Sequence, residues 1–134
     1  MDSIFSLLSQ YASSHPQTRV HAIYLSDHGE NVYDEGENAG HDFADTIPYA
    51  NVEIPFILWL SEQDTLRDTA FYHRVKTRLC CPFMSDDLFH LLLDLDGIRT
   101  PCLQQERSLL NPCYQKDRPR MLTDGRRYMG KNEE

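Results

Sequence analysis

Positive charge is what this 134-residue sequence has least of: thirteen Lys and Arg face twenty-one Asp and Glu, a formal net charge of −8. A sequence-independent nucleic-acid binder needs clustered cations to displace phosphate counterions, so the balance argues against that class. It does not argue against an anionic substrate, because a bound metal ion would supply the local positive charge. Long apolar runs are missing too. No stretch reaches the roughly 18 apolar residues of a membrane span, and none is expected. The opening M-D-S-I-F-S-L-L-S-Q-Y carries Asp2 and no early Lys or Arg, so neither a signal peptide nor export is expected. Cysteine is sparse: Cys80, Cys81, Cys102 and Cys113 show no C-x-x-C spacing, which makes a cysteine zinc site improbable. Adjacent Cys80 and Cys81 rarely pair with each other. Cys102 and Cys113 form one disulfide or stay, like the other two, free or partly buried thiols. There is no internal repeat and no low-complexity segment.

What is present is an ordinary globular composition, 40% hydrophobic and 25% charged, of a length that reads most simply as one domain. Its centre is Val20 to Glu30, V-H-A-I-Y-L-S-D-H-G-E. Val20, Ile23, Tyr24 and Leu25 read as a buried strand bounded by a turn signal. The polar residues then fall at the strand's C-terminal edge, where open α/β sheets place ligands. Asp27 and His28 offer a carboxylate oxygen and an imidazole nitrogen, both zinc-compatible. Gly29 permits the tight turn that would aim two adjacent side chains at one point.

Before this strand, Ile4, Leu7, Leu8 and Tyr11 predict one apolar face of a helix over 3–11, with Asp2 or Ser3 as N-cap and Pro16 ending it. After it, Asn31 to Asn51 is polar, acid-rich and irregular, long enough to be functional or disordered. Pro55 fits the start of a strand, so a strand buried on both faces is expected over Phe56–Leu60. A helix over Glu62–Leu79 follows, with Leu66, Ala70, His73 or Arg74 and Thr77 at helical spacing. Ser85-Asp86-Asp87 opens a second, buried helix with acids at the positive end of its dipole, and Gly97 stops it. His90 on that helix reads as a core or boundary histidine. Arg120-Met121-Leu122 reads as a short strand before an Asp124-Gly125 turn, and 131–134 as a disordered tail. Arg118, Arg120, Arg126 and Arg127 form a small basic cluster that reads as a solvated face, with a lipid or phosphate contact as the alternative. The fold class expected is α/β, a partial central sheet with helices on its faces.

Three landmarks, S-D-H-G-E (Ser26–Glu30), I-P-F-I-L-W-L-S (Ile54–Ser61) and S-D-D-L-F-H-L-L-L-D-L-D-G-I (Ser85–Ile98), resemble one family in order. Together they look like the C-terminal part of the catalytic domain of lipopolysaccharide phosphoethanolamine transferases, in the sulfatase and alkaline-phosphatase superfamily. The resemblance runs from about Ile4 to about Tyr128 and implies a domain over 1–130. It implies zinc as cofactor, held by Asp27 and His28. It implies His41 as a contact to substrate phosphate, although Gly40 precedes and Asp42 follows where the family often has glycine after the histidine. Glu30 belongs to the same motif and is expected to shape the pocket. The partners implied for the complete family are phosphatidylethanolamine and lipopolysaccharide, or lipid A, at the periplasmic face of the inner membrane.

The departures matter as much. The family's threonine nucleophile and a further acidic zinc ligand lie well upstream of S-D-H-G, and its membrane-spanning region lies further still. Only 25 residues precede Ser26, and Thr18, the one threonine among them, falls at the strand's entrance. Two protein ligands do not complete a catalytic zinc site, which needs three and an open position. The chain is therefore expected to carry about the last third of such a catalytic domain. It would be inactive alone, with the upstream part separately encoded or lost. The rivals are a hydrolase of the same superfamily, a sulfatase or phosphodiesterase, and a non-catalytic remnant.

Overall fold

The fold is that of a computed structural model, which describes residues 2–34, 39–40 and 47–128. The chain divides into two compact units, one running to Ser61 and the other spanning Glu62–Tyr128.

The first unit opens with helix α1, Asp2–Ser14. Both expected caps, Asp2 and Ser3, lie inside it. Its last turn is closed by side chains: Ser13 Oγ donates to Ser9 O at 2.9 Å, and Ser14 Oγ to Tyr11 O at 2.9 Å. His15 Nδ1 donates to that same Tyr11 carbonyl at 2.9 Å while its ring stacks on Tyr11. The Tyr11 carbonyl, one of those the helix end leaves open, is thus answered by side chains. The period of α1 is as expected; its phase is not. Ala12 is buried and Phe5 and Leu8 half-buried, whereas Ile4, Leu7 and Tyr11 are 60%, 65% and 51% exposed. The sequence carries apolar residues on both stripes, and the Phe5 ring stacked on Trp59 at 6.2 Å selects the inner one.

Strand β1, His21–Leu25, pairs antiparallel with a later strand, Phe56–Leu60, so that His21 faces Leu60 and Leu25 faces Phe56. Between them come β2 (Asn31–Val32), β3 (Ala39–Gly40) and the one-turn helix α2 (Tyr49–Val52); Phe56–Leu60 is then β4. The bounds of β4 are those expected, but every residue in it is half-buried rather than buried. The described residues hold three separate two-stranded antiparallel ladders, β1 with β4, β2 with β3, and a C-terminal pair. A ladder of two strands cannot bury both faces of a strand as a central sheet does. Helix and strand are thus mixed as the α/β reading requires, with short ladders where one sheet was expected.

The second unit begins with two helices where one was expected: α3, Glu62–Arg67, and α4, Thr69–Arg78. Asp68 makes the break. Its backbone is extended and its Oδ1 accepts the Phe71 N–H at 2.8 Å, an N-cap that starts a new helix. The buried face of α4 is Phe71 and Val75, while Leu66 is 72% exposed. Helix α5, Leu88–Leu95, buries His90, Leu91 and Leu95. Gly97, at φ 70°, ends it as Ile98 N–H returns to Leu93 O at 2.8 Å. His90 is a core histidine: its Nδ1 accepts the Gln104 N–H at 3.3 Å. The C-terminal pair, β5 (Arg120–Met121) and β6 (Arg127–Tyr128), turns at Asp124–Gly125, with Gly125 at φ 85°.

Asp86 and Asp87 do not serve the helix dipole alone. Asp87, 1% exposed, accepts Arg107 Nε at 2.5 Å and Arg118 Nη2 at 2.5 Å, and Asp86 accepts Arg107 Nη2 at 2.6 Å. Arg118, read as part of a solvated face, is therefore an internal tie, and Arg120 Nη2 donates to Pro82 O and Lys116 O. The four cysteines are free thiols, Cys102 and Cys113 included.

Tyr114 gives this unit a pH dependence. Its hydroxyl donates to Pro82 O, and burial pushes its pKa above 10.0, with neighbouring Arg120 pulling back less strongly. The folded state thus holds the proton more tightly than the unfolded chain. That contribution is complete below the unfolded value and is lost as pH climbs towards the folded one. Tyr114→Phe should lose about 1 kcal/mol at neutral pH and show a flatter alkaline limb. Urea midpoints followed from about pH 9 to about pH 11 test this, and equal slopes for both proteins would refute it.

Candidate functional site

The site is built where β1 ends. Ser26 Oγ donates to His28 O at 2.7 Å, and Asp27 Oδ1 accepts the His28 N–H at 3.1 Å, so the turn closes on its own side chains. Gly29 N–H then donates to Asn51 O on α2 at 2.9 Å. The approach is so close that a Cβ on Gly29 would lie 1.9 Å from the Ala50 carbonyl oxygen. Only glycine fits here, because what it meets is backbone.

This anchoring sets the imidazole. His28 Nδ1 lies 2.8 Å from Gly29 O, and a carbonyl can only accept, so Nδ1 carries the proton and Nε2 the lone pair. Nε2 stands 3.9 Å from Asp27 Oδ2. The two side chains therefore converge, and both reach solvent, with 89% of the Asp27 and 53% of the His28 side chain exposed. Two ligands of a tetrahedral zinc at about 2.0–2.1 Å lie roughly 3.3 Å apart, a small rotation from this separation. The donor types fit zinc, and a backbone carbonyl behind the imidazole is the usual orienting partner. Among the described residues, however, no group of three or more His, Cys, Asp or Glu side chains is placed to hold a metal ion. The pair thus brings two donor groups together, one carboxylate and one imidazole.

Glu30 is exposed at the start of the following segment. His41 lies outside the described residues. Asn51 and the contact of Gly29 with α2 were not anticipated. No local pattern announces them, because Asn51 sits in what reads as a polar loop. Its partners Gly29 and Gly40 are recognisable only once the chain has doubled back. The nearest threonine to the motif from upstream, Thr18, precedes β1, so a five-residue strand, roughly 17 Å, separates it from Asp27.

No family model matches the chain, and no solved structure matches it. Among curated proteins, it is 30% identical over 122 residues, 84% of its length, to phosphoethanolamine transferase EptA of Escherichia coli. This chain is a homologue of the phosphoethanolamine transferases. It is 32% identical over 99 residues to EptA of Salmonella typhimurium, covering 68% of this chain, and 27% identical over 115 residues to EptC of Escherichia coli. The match spans 20% of the first of these transferases, 17% of the second and 19% of the third. The chain thus spans about a fifth of the length of its transferase relatives, consistent with a fragment of that family's catalytic domain. No helix among the described residues is long and apolar enough to cross a membrane.

Proposed function

We propose that this chain supplies the Asp27–His28 half of a zinc site for phosphoethanolamine transfer from phosphatidylethanolamine to lipid A or another lipopolysaccharide acceptor, at the periplasmic face of the inner membrane. The observation that carries the reading is the convergence of Asp27 Oδ2 and His28 Nε2 at 3.9 Å, in a homologue of named transferases. When bound, zinc would neutralise charge on the transferring phosphoryl group and lower the pKa of the attacking hydroxyl. Asp27 contributes a carboxylate that offsets the ion's charge. His28 contributes Nε2, held in the ligating tautomer by the Gly29 carbonyl. Glu30 shapes the pocket wall and His41 contacts substrate phosphate. The further ligands and the threonine nucleophile come from sequence outside these 134 residues, within the sulfatase-like sheet that β1 and β4 would join. The 134 residues alone therefore transfer nothing.

Calorimetric zinc titration tests the half-site. The wild-type chain should bind one zinc in the micromolar range, and His28→Ala should abolish that binding. No binding by the wild type, or binding indifferent to the substitution, would overturn the assignment.

A further inference from the structure

We propose that Asn51 is the positioning residue that presents His28, acting through the Gly29 backbone. The role rests on reading Asp27 and His28 as a ligand pair, while the geometry stands without it. Asn51 is 6% exposed and lies in α2, a helix of four residues with no side-chain cap. One turn of helix does not hold itself in place, so something must fix it. The Asn51 carbonyl accepts Gly29 N–H at 2.9 Å, and its Nδ2 donates to Gly40 O at 2.9 Å. One buried residue thereby touches the residue after His28 and the residue before His41.

Gly40 is itself anchored, since it pairs across the β2–β3 ladder with Asn31, which is 2% exposed. Asn51 thus ties α2 to a ladder that starts two residues beyond Gly29. Gly29 passes this order on through two successive peptides: its N–H is held by Asn51, and its carbonyl, one peptide further along, accepts from His28 Nδ1 at 2.8 Å. If α2 drifts, Gly29 loses the bond that fixes its N–H, its backbone is freed to turn about Cα, and the imidazole loses the acceptor that selects its tautomer. Asparagine is required because the bond to Gly40 needs a donor. Aspartate, of the same shape, would set a carboxylate against a carbonyl, and alanine would leave that carbonyl without its amide.

Nitrogen-15 NMR at about pH 8, where an ordinary histidine is neutral, reads the tautomer directly and without metal. The wild type should show His28 protonated at Nδ1. Asn51→Asp and Asn51→Ala should move its ring shifts towards a mixture of tautomers. They should also cut hydrogen-exchange protection of the Gly29 amide by about tenfold, the worth of one buried hydrogen bond. A merely structural role would lower the unfolding midpoint and leave the His28 ring signals where they were, which would overturn the proposal. Should both variants fail to fold, wild-type exchange of the Asn51 side-chain amide decides. Protection supports the clamp, and exchange at the rate of an exposed amide refutes it. A failed zinc titration would sink the proposed function and leave these outcomes untouched.

Discussion

Asp87→Ala should destabilise the Glu62–Tyr128 unit by about 3 kcal/mol, enough to unfold much of it under mild conditions. The carboxylate is 2% exposed and takes one hydrogen bond from Arg107 Nε and another from Arg118 Nη2. Removing it leaves two arginine side chains, 21% and 25% exposed, with only the half-exposed Asp86 to balance them. That penalty, rather than the attraction lost, makes the effect large. In the intact protein the hydrogen bond to Asp87 holds Arg107 above its ordinary pKa; without Asp87 that support goes, yet a guanidinium still keeps its proton and the charge stays. Asp86, at 54% exposure, is the control: Asp86→Ala should cost under about 1 kcal/mol because water screens its pairing. Urea unfolding followed by far-UV circular dichroism separates the two, and equal midpoint shifts would refute the asymmetry.

Gly29→Ala should be as severe in the other unit, at about 3 kcal/mol or more. The added methyl would meet the Ala50 carbonyl oxygen at 1.9 Å and its carbon at 3.0 Å. No rotamer relieves a clash with main chain. Either α2 retreats or the turn opens, and both break the Gly29–Asn51 bond that seats His28. Trp59 is the sole tryptophan and sits in β4 against Phe5, so its fluorescence follows this unit. The expected result is a Trp59 midpoint well below that of the wild type. An unchanged midpoint would mean that the close approach does not govern the turn.

These two positions show what could be read from the sequence and what could not. β4, the Gly97 stop and the Asp124–Gly125 turn follow from local chemistry, and each was legible. The phase of α1 was not, because the contact selecting it joins Phe5 to Trp59 across most of the first unit. Asp68 does not stand out as a cap, because helical spacing continues on both sides of it. Asp86 and Asp87 look like dipole residues until Arg107 and Arg118 return from further along the chain. At the candidate site the order is the same. Asp27 and His28 stand out as neighbours in a motif, whereas Asn51 works through a main-chain oxygen and one amide, which no residue pattern encodes.

The bond between Gly29 and Asn51 also separates two kinds of change. Residues 30–50 leave from and return to one point, so their ends are joined whatever lies between them. Lengthening such a span is cheap, about 0.6 kcal/mol for each doubling. Insertions could therefore alter how far this stretch extends and what it touches, while the carboxylate and the ring at its root keep their bearing.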